Sequence, residues 1–169
     1  MDFLAIFTPV SEGLENDELN LGRIVVFLFL ALGVSFICSL LEAIILSVTW
    51  SHIEILNKEE KNSGKSLKRL KEEIDQPLAA ILTLNTVSHT VGAAGVGSEF
   101  HQLGSNWFTA ASIILTILIL VFSEIIPKTL GAIYWKRMAP SAAYILDLMV
   151  WLTWPIVVSL NYFSKKIAE

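Results

Sequence analysis

Charged residues are scarce in this sequence. Only 17% of its 169 residues are Asp, Glu, Lys or Arg, against about 25% in an average soluble domain. Hydrophobic residues make up 54% of the chain and its mean hydropathy is +0.62, a composition typical of a membrane protein. The length allows three or four membrane spans, but not these together with a sizeable soluble domain.

Cysteine and catalytic motifs are also nearly absent. Cys38 is the one cysteine and lies within an apolar run, which excludes a disulfide framework and a cysteine metal cluster. The sequence has no HExxH motif, no phosphate-binding loop and no Ser-His-Asp order, so we expect no enzymatic activity. Residues 1–20 contain five acids and no Lys or Arg, which argues against a secretory signal peptide. The net charge of −4 gives no indication of nucleic-acid binding.

Three stretches are apolar enough to cross a membrane. Residues 24–41 carry no charge, and the apolar character continues for eight residues after Glu42, which predicts span 1. Residues 77–97 are uncharged and rich in Ala and Gly, which predicts a second span suited to close helix packing. Residues 107–126 are predicted to form span 3, with Glu124 near its end.

The topology depends on the segment of residues 140–163, which is apolar but interrupted by Asp147 and Pro155. It is either a fourth span or a helix lying along the membrane interface. Residues 51–76 contain six Lys and Arg and are therefore predicted to be cytoplasmic. Three spans also keep the two lysines near the C-terminus inside, so we favour three spans with the N-terminus outside and the C-terminus in the cytoplasm. The predicted parts are an extracytoplasmic arm (1–20), a three-span core (21–138) with its cytoplasmic loop (51–76), and a juxtamembrane helix with the C-terminal tail (139–169).

Polar side chains recur on one face of spans 1 and 2. In "SFICSLLE", Ser35, Ser39 and Glu42 fall within about 60° of one another on a helix. The serines either face a polar site or bond back to carbonyls of their own helix, and Glu42 is either functional or solvated at the cytoplasmic edge. In "LNTVSHT", Asn85 offers an oxygen ligand on the same face as His89. A lone histidine is more often a packing residue than a ligand.

Glycines and a proline predict breaks in spans 2 and 3. The glycines within residues 92–97 would allow an unwound helix whose free carbonyls coordinate a cation. In "SEIIPKTLG", Pro127 frees the carbonyl of Ser123 beside the Glu124 carboxylate, and Gly131 permits a tight turn. The alternative is a span that ends at Glu124, with the following lysine reaching the membrane surface. Together these oxygen donors suit Mg²⁺, Ca²⁺ or Na⁺ rather than zinc or copper.

These three motifs resemble those of one family. "SEIIPKTLG" resembles the "GEIIPKT" signature of the CNNM/CorC transmembrane domain, found in cyclin-M-type magnesium transporters and their bacterial relatives. "SFICSLLE" resembles the family's "SAFFSGSE", and "LNTVSHTVG" resembles its "GNNLVNI". The resemblance covers roughly residues 21–163. It implies an all-α membrane protein with three transmembrane helices, of which spans 2 and 3 are broken, plus a juxtamembrane amphipathic helical belt.

The resemblance also implies a function. Members form homodimers in the plasma (inner) membrane and are proposed to export Mg²⁺ in exchange for Na⁺, with a dehydrated Mg²⁺ bound between the spans. Pro127 and Gly131 would form the helix break. By motif, the metal ligands would be Ser35, Ser39, Asn85, Ser123 (through its backbone carbonyl) and Glu124.

Several positions depart from the family pattern. Leu40 and Leu41 replace the glycine and second serine of "SGSE", Leu84 replaces the first glycine of the span-2 motif, and His89 replaces its second asparagine. Ser123 stands where the family usually has glycine. These departures keep an alternative open, in which the chain is a non-transporting membrane partner or an ion-sensing subunit. Most members carry cytosolic nucleotide-binding CBS domains, whereas this sequence shows none, so a separate cytosolic regulatory partner is a further expectation.

Overall fold

The computed structural model describes residues 20–59, 62–101 and 104–168, with side chains up to residue 155. Almost all of these residues are helical, which confirms the predicted all-α class. The first limb consists of α1 (Leu21–Phe29), a first π-helix (Leu30–Val34) and α2 (Ser35–Ser47). Three helices follow: α3 (Trp50–Lys58), α4 (Asn62–Glu72) and α5 (Asp75–His101). The last limb consists of α6 (Ser105–Leu118), a second π-helix (Ile119–Ile125) and α7 (Ile126–Ala168).

Within the described residues, two helical stretches are long and apolar enough to cross a membrane, Leu21–Ser47 and Ser105–Pro155. They contain the predicted spans 1 and 3. The second stretch continues well beyond the predicted end of span 3, because α7 follows the second π-helix without a turn. The segment predicted as a juxtamembrane helix is the continuation of α7. Of the predicted N-terminal arm, only Asn20 lies within the described residues.

Helix α5 packs between the two limbs. It has 27 residues and is about 40 Å long at 1.5 Å per residue, longer than the hydrocarbon core of a bilayer, which is about 30 Å. Phe27 packs at Gly95 and Ser35 bonds to His89, so α5 runs antiparallel to the first limb. The last limb contacts the first at Ser123–Leu32 and again, later in both limbs, at Lys128–Glu42. The two limbs therefore run parallel. The chain therefore passes three times along one axis.

The expected break in span 2 is not observed, because α5 is one continuous helix. Its glycines instead permit close approach of the first limb. A methyl group added at Gly92 would lie 2.5 Å from Cβ of Ala31 and 2.8 Å from the carbonyl oxygen of Phe27. At Gly95 the added carbon would lie 2.2 Å from Cγ of Phe27. Close packing, rather than backbone unwinding, therefore explains these two glycines.

The expected break at Pro127 and turn at Gly131 are replaced by a continuous helical path. The second π-helix ends just before Pro127, and the N–H of Ile126 bonds to the carbonyl of Val121, five residues earlier. Pro127 then lies in the first turn of α7, where a proline is tolerated. Gly131 lies inside α7, and a methyl group there would meet Cβ of Ala43 and the carbonyl of Leu40, each at 2.7 Å. Gly131 therefore permits close packing of α7 on α2 rather than a turn.

The predicted cytoplasmic loop is mostly helical, since it forms α3 and α4. These helices share one apolar core with α2, the start of α5 and the middle of α7. Lys71 of α4 donates to the last carbonyls of α2, at 2.8 Å from that of Ile45 and 3.3 Å from that of Leu46. Arg69 pairs with Asp147 of α7 at 2.6 Å. These bonds fix α4 against the C-terminal end of α2 and the middle of α7.

Candidate cation site

The two π-helices meet at the predicted site. Ser35 directly follows the first π-helix, and Ser123 and Glu124 lie inside the second. The hydroxyl of Ser123 donates to the carbonyl of Leu32 in the first π-helix, at 3.2 Å. Short π-helical segments within α-helices occur frequently at functional sites. Sequence reasoning missed the first π-helix, since no residue in that segment marks it, whereas Pro127 does signal an irregularity at the second.

Ser35 is completely buried, and its hydroxyl lies 2.6 Å from Nε2 of His89. This serine therefore bonds across to α5 rather than back to its own helix. His89 is one of the residues that depart from the family motifs, and it contacts a predicted metal ligand directly. This hydrogen bond is what a packing histidine makes, and it places the imidazole beside Ser35.

Two predicted ligands carry buried oxygens without a partner. Among the described residues, four buried side-chain atoms have no hydrogen-bond partner, and two of them are Oγ of Ser39 and Oδ1 of Asn85. Ser39 is fully buried. The amide nitrogen of Asn85 donates to Oε1 of Glu124 at 3.1 Å, which fixes the side chain and leaves its oxygen unused. An unsatisfied buried polar group costs about 1–3 kcal/mol, so each of these two oxygens is an acceptor available to a ligand.

A lysine bridges the two carboxylates of the site. Nζ of Lys128 lies 3.0 Å from Oε2 of Glu124 and 3.2 Å from Oε2 of Glu42. The Glu124 side chain is 24% exposed and that of Lys128 is 44% exposed, so the pair lies at the edge of the buried region. Sequence reasoning treated this lysine only as a residue that reaches the membrane surface. The four-residue spacing from Glu124 was the available signal for its pairing.

The arrangement combines hydroxyl, amide and carboxylate oxygens from three helical passes. Such donors suit hard cations such as Mg²⁺, Ca²⁺ and Na⁺. The His, Cys, Asp and Glu side chains of the described ranges do not form a group of three or more that could hold a metal. The candidate donors are therefore mainly neutral oxygens, together with the carboxylate of Glu124.

Comparison with known proteins gives a family match and several relatives. Residues 25–169 match the family model described as the cyclin M transmembrane N-terminal domain. A UPF0053 protein of Synechocystis sp. is 33% identical over 136 residues, covering 80% of this chain and 39% of the relative. A UPF0053 protein of Haemophilus influenzae is 27% identical over 156 residues, covering 90% of this chain and 37% of the relative. The UPF0053 inner membrane protein YfjD of Escherichia coli is 26% identical over 111 residues, covering 65% of this chain and 26% of the relative. The chain thus spans well under half the length of these relatives.

Proposed function

The chain belongs to the cyclin M transmembrane (CNNM/CorC) family, a family of membrane domains linked to divalent-cation transport, and on that premise we propose that it exports Mg²⁺ in exchange for Na⁺. The transported Mg²⁺ binds between the three passes in a dehydrated form. Protein oxygens then replace the water ligands that a hard cation otherwise retains.

The observation that carries this proposal is the pair of unpartnered oxygens beside a carboxylate. Ser39 and Asn85 each present one buried oxygen without a hydrogen-bond partner among the described residues, and Glu124 supplies the charge. A cation there would satisfy both oxygens and neutralise the carboxylate. Ser35 and Ser123 complete the proposed ligand set, the latter through its backbone carbonyl. Their hydroxyls are engaged with His89 and Leu32 respectively.

The proposed topology has three membrane spans, with the N-terminus outside and the C-terminus in the cytoplasm. The three passes support the count, and the Lys and Arg residues of α3 and α4 support the orientation. The printed name of the E. coli relative, an inner membrane protein, supports the location. The second part of α7 would then form the juxtamembrane belt.

A homodimer is also part of the proposal, and the surface that supports it lies on α7 rather than on span 2. Gly92 and Gly95 are used within the chain, against Ala31 and Phe27, so they do not support an intermolecular contact. Two large aromatic side chains of α7, Tyr144 and Trp151, are 55% and 73% exposed. This face of α7 is available to a second copy or to lipid.

The alternative function is an ion-sensing or non-transporting membrane subunit. It is favoured by the side chains that already engage the predicted ligands. His89 contacts Ser35, and Lys128 pairs with Glu124. A site held in this way would bind a cation and report its presence to a cytosolic partner without releasing it across the membrane.

Mg²⁺ flux into a dye-loaded proteoliposome, with and without a Na⁺ gradient, distinguishes these functions. We expect Na⁺-dependent flux for the wild type and none for Glu124→Gln. Glu72→Gln is the matched control, because that carboxylate lies on α4 in a surface pair with Lys68 at 3.9 Å. Mg²⁺ binding without flux would favour the sensor, and flux that ignores the Na⁺ gradient would exclude the Na⁺ exchange.

A further inference from the structure

Lys128 places a resident positive charge at the carboxylate that the proposed function assigns to the cation. It lies in the first turn of α7, and its ammonium group bridges Glu124 of the second π-helix and Glu42 of α2. The two distances, 3.0 and 3.2 Å, are those of direct ion pairs. The ammonium is thus shared between two carboxylates that belong to different limbs.

This position makes the ammonium and an incoming cation competitors. A carboxylate that is only 24% exposed is unfavourable without a counter-charge, and Lys128 supplies that charge when no cation is bound. A divalent cation at Glu124 would be close to the ammonium, and like charges at such a separation repel strongly in a poorly solvated site. The ammonium and the divalent cation therefore cannot both pair fully with the Glu124 carboxylate.

Glu42 offers the ammonium a second partner that is already within reach. Its carboxylate contacts Lys128 at 3.2 Å, so a small movement of the flexible lysine side chain would leave the ammonium on Glu42 alone. The ammonium would then stay paired while Glu124 turns to the cation. When the cation leaves, the lysine can return and neutralise Glu124 again.

We propose that Lys128 is an internal counter-ion that holds the carboxylate of Glu124 in the cation-free site and moves to Glu42 when a divalent cation binds. It is a positioning residue, since it acts through the two carboxylates. This inference rests on the proposed function, because it requires that a cation bind at Glu124. Its role is to lower the affinity of the site so that the bound cation can be released.

The test is a Mg²⁺ titration by isothermal calorimetry on the purified protein in detergent. Lys128→Met should raise Mg²⁺ affinity by about tenfold, the effect of losing one coupled charge. Glu42→Gln should lower it by a similar factor, because the ammonium is then held by Glu124 alone. Lys136→Met is the matched control on the same helix, since that ammonium lies over the Trp135 ring at 5.5 Å, and it should leave the affinity unchanged.

A double-mutant cycle separates movement of the lysine from simple charge removal. If Glu42 acts by holding the ammonium, Glu42→Gln should have little effect in the Lys128→Met background. An equal loss of affinity in both backgrounds would overturn the proposal, because Glu42 would then act only through its own charge. The double variant removes both partners of the pair, which keeps the test usable if Glu42→Gln alone does not fold.

The outcomes distinguish this inference from the proposed function. If wild type binds Mg²⁺, Glu124→Gln does not, and Lys128→Met binds as the wild type does, the cation site stands and the counter-ion role is overturned. If neither the wild type nor Lys128→Met binds Mg²⁺, the proposed function itself fails and the inference fails with it. If only Lys128→Met binds, the ammonium is confirmed as the competitor.

Discussion

The polar side chains of the proposed site differ in whether they already have a hydrogen-bond partner. Ser35 and Ser123 have partners on another helical segment, His89 and Leu32 respectively. Ser39 and Asn85 each retain a buried oxygen without one. At the scale of single residues, the first pair contributes to the packing of the cation-free protein, and the second pair is the part of the site that is ready for a ligand.

This difference predicts opposite effects for two serine substitutions. Ser35→Ala should lower the free energy of unfolding by about 1 kcal/mol, because it removes a hydrogen bond and leaves His89 without its partner. Ser39→Ala should leave stability unchanged or slightly raised, because it removes an unsatisfied buried hydroxyl. Thermal unfolding in Mg²⁺-free detergent measures both. A larger loss for Ser39→Ala than for Ser35→Ala would contradict this assignment.

His89 predicts a shift in ion preference. An imidazole nitrogen favours transition metals, whereas an amide oxygen suits Mg²⁺. His89→Asn should therefore raise the affinity for Mg²⁺ relative to Ni²⁺, measured by calorimetry with each ion. His101→Asn is the control on the same helix, because His101 contacts Phe108 edge-to-face at 5.9 Å, at the C-terminal end of α5. An unchanged Mg²⁺ to Ni²⁺ affinity ratio in His89→Asn would exclude His89 from ion selection.

The sequence allowed the polar residues to be identified, but not their pairing. Ser35, Ser39 and Glu42 share one face because helical periodicity fixes it. The contacts of Ser35 with His89 and of Lys128 with Glu42 depend on the register between helices that are distant in the chain. Register is set by packing at positions such as Gly92, which a single sequence does not specify.

At the scale of helices, glycine packing determines how closely the limbs approach. The first limb packs closely at Gly92 and Gly95 of α5, and α2 packs closely at Gly131 of α7. The Ser123–Leu32 bond and the Lys128–Glu42 pair both require this close approach. The proposed cation site therefore depends on three helices that lie closer together than larger side chains would permit.

Two glycines of α5 should respond differently to alanine. Gly95→Ala should destabilise the protein by about 1–3 kcal/mol, the usual cost of overpacking, because the new carbon would meet the Phe27 ring at 2.2 Å. In Gly97→Ala the added carbon would meet only the ring edge of Phe108, at 3.1 Å. This variant should have a free energy of unfolding up to about 1 kcal/mol higher, because alanine has a higher helix propensity than glycine. Equal thermal stability of the two variants would show that the α1–α5 contact is not as close as described.

Hydropathy predicted the long elements, but not the details of the backbone within them. Spans 1 and 3 were predicted because a membrane helix needs a long uncharged run. The π-helix at Leu30–Val34 was not, because it changes the hydrogen bonding of one turn without changing the apolar pattern. Two roles were predicted for the glycines of α5, close packing and a break, and the structure shows the close packing. Glycine both weakens a helix and allows close packing, and the sequence does not distinguish these effects.

At the scale of the whole molecule, the three passes and the positions of Lys and Arg support the proposed orientation. Helix α4 contains four Lys and Arg residues, and Lys71 fixes it at the end of α2 through the carbonyls of Ile45 and Leu46. Burial lowers the pKa of the Lys71 amino group, so desolvation of its charge offsets part of the gain from these bonds.

The orientation predicts which positions are accessible from outside the cell. Ser105→Cys, at the start of α6, should react with a membrane-impermeant maleimide in intact cells. Lys58→Cys, at the end of α3, should react only after permeabilisation. The native Cys38 is 1% exposed and provides an unreactive background. The reverse pattern would contradict the proposed topology.

The most direct test of the central claim is the stabilisation of the purified protein by Mg²⁺, measured as a shift in Tm for wild type and Asn85→Ala. Asn57→Ala is the matched control, because Asn57 also has a buried side-chain oxygen without a hydrogen-bond partner, but on α3 rather than in the site. We predict that Mg²⁺ raises the Tm of the wild type and of Asn57→Ala, and leaves that of Asn85→Ala unchanged. An equal Mg²⁺-dependent shift in all three proteins would contradict the claim that the unpartnered oxygen of Asn85 holds the cation.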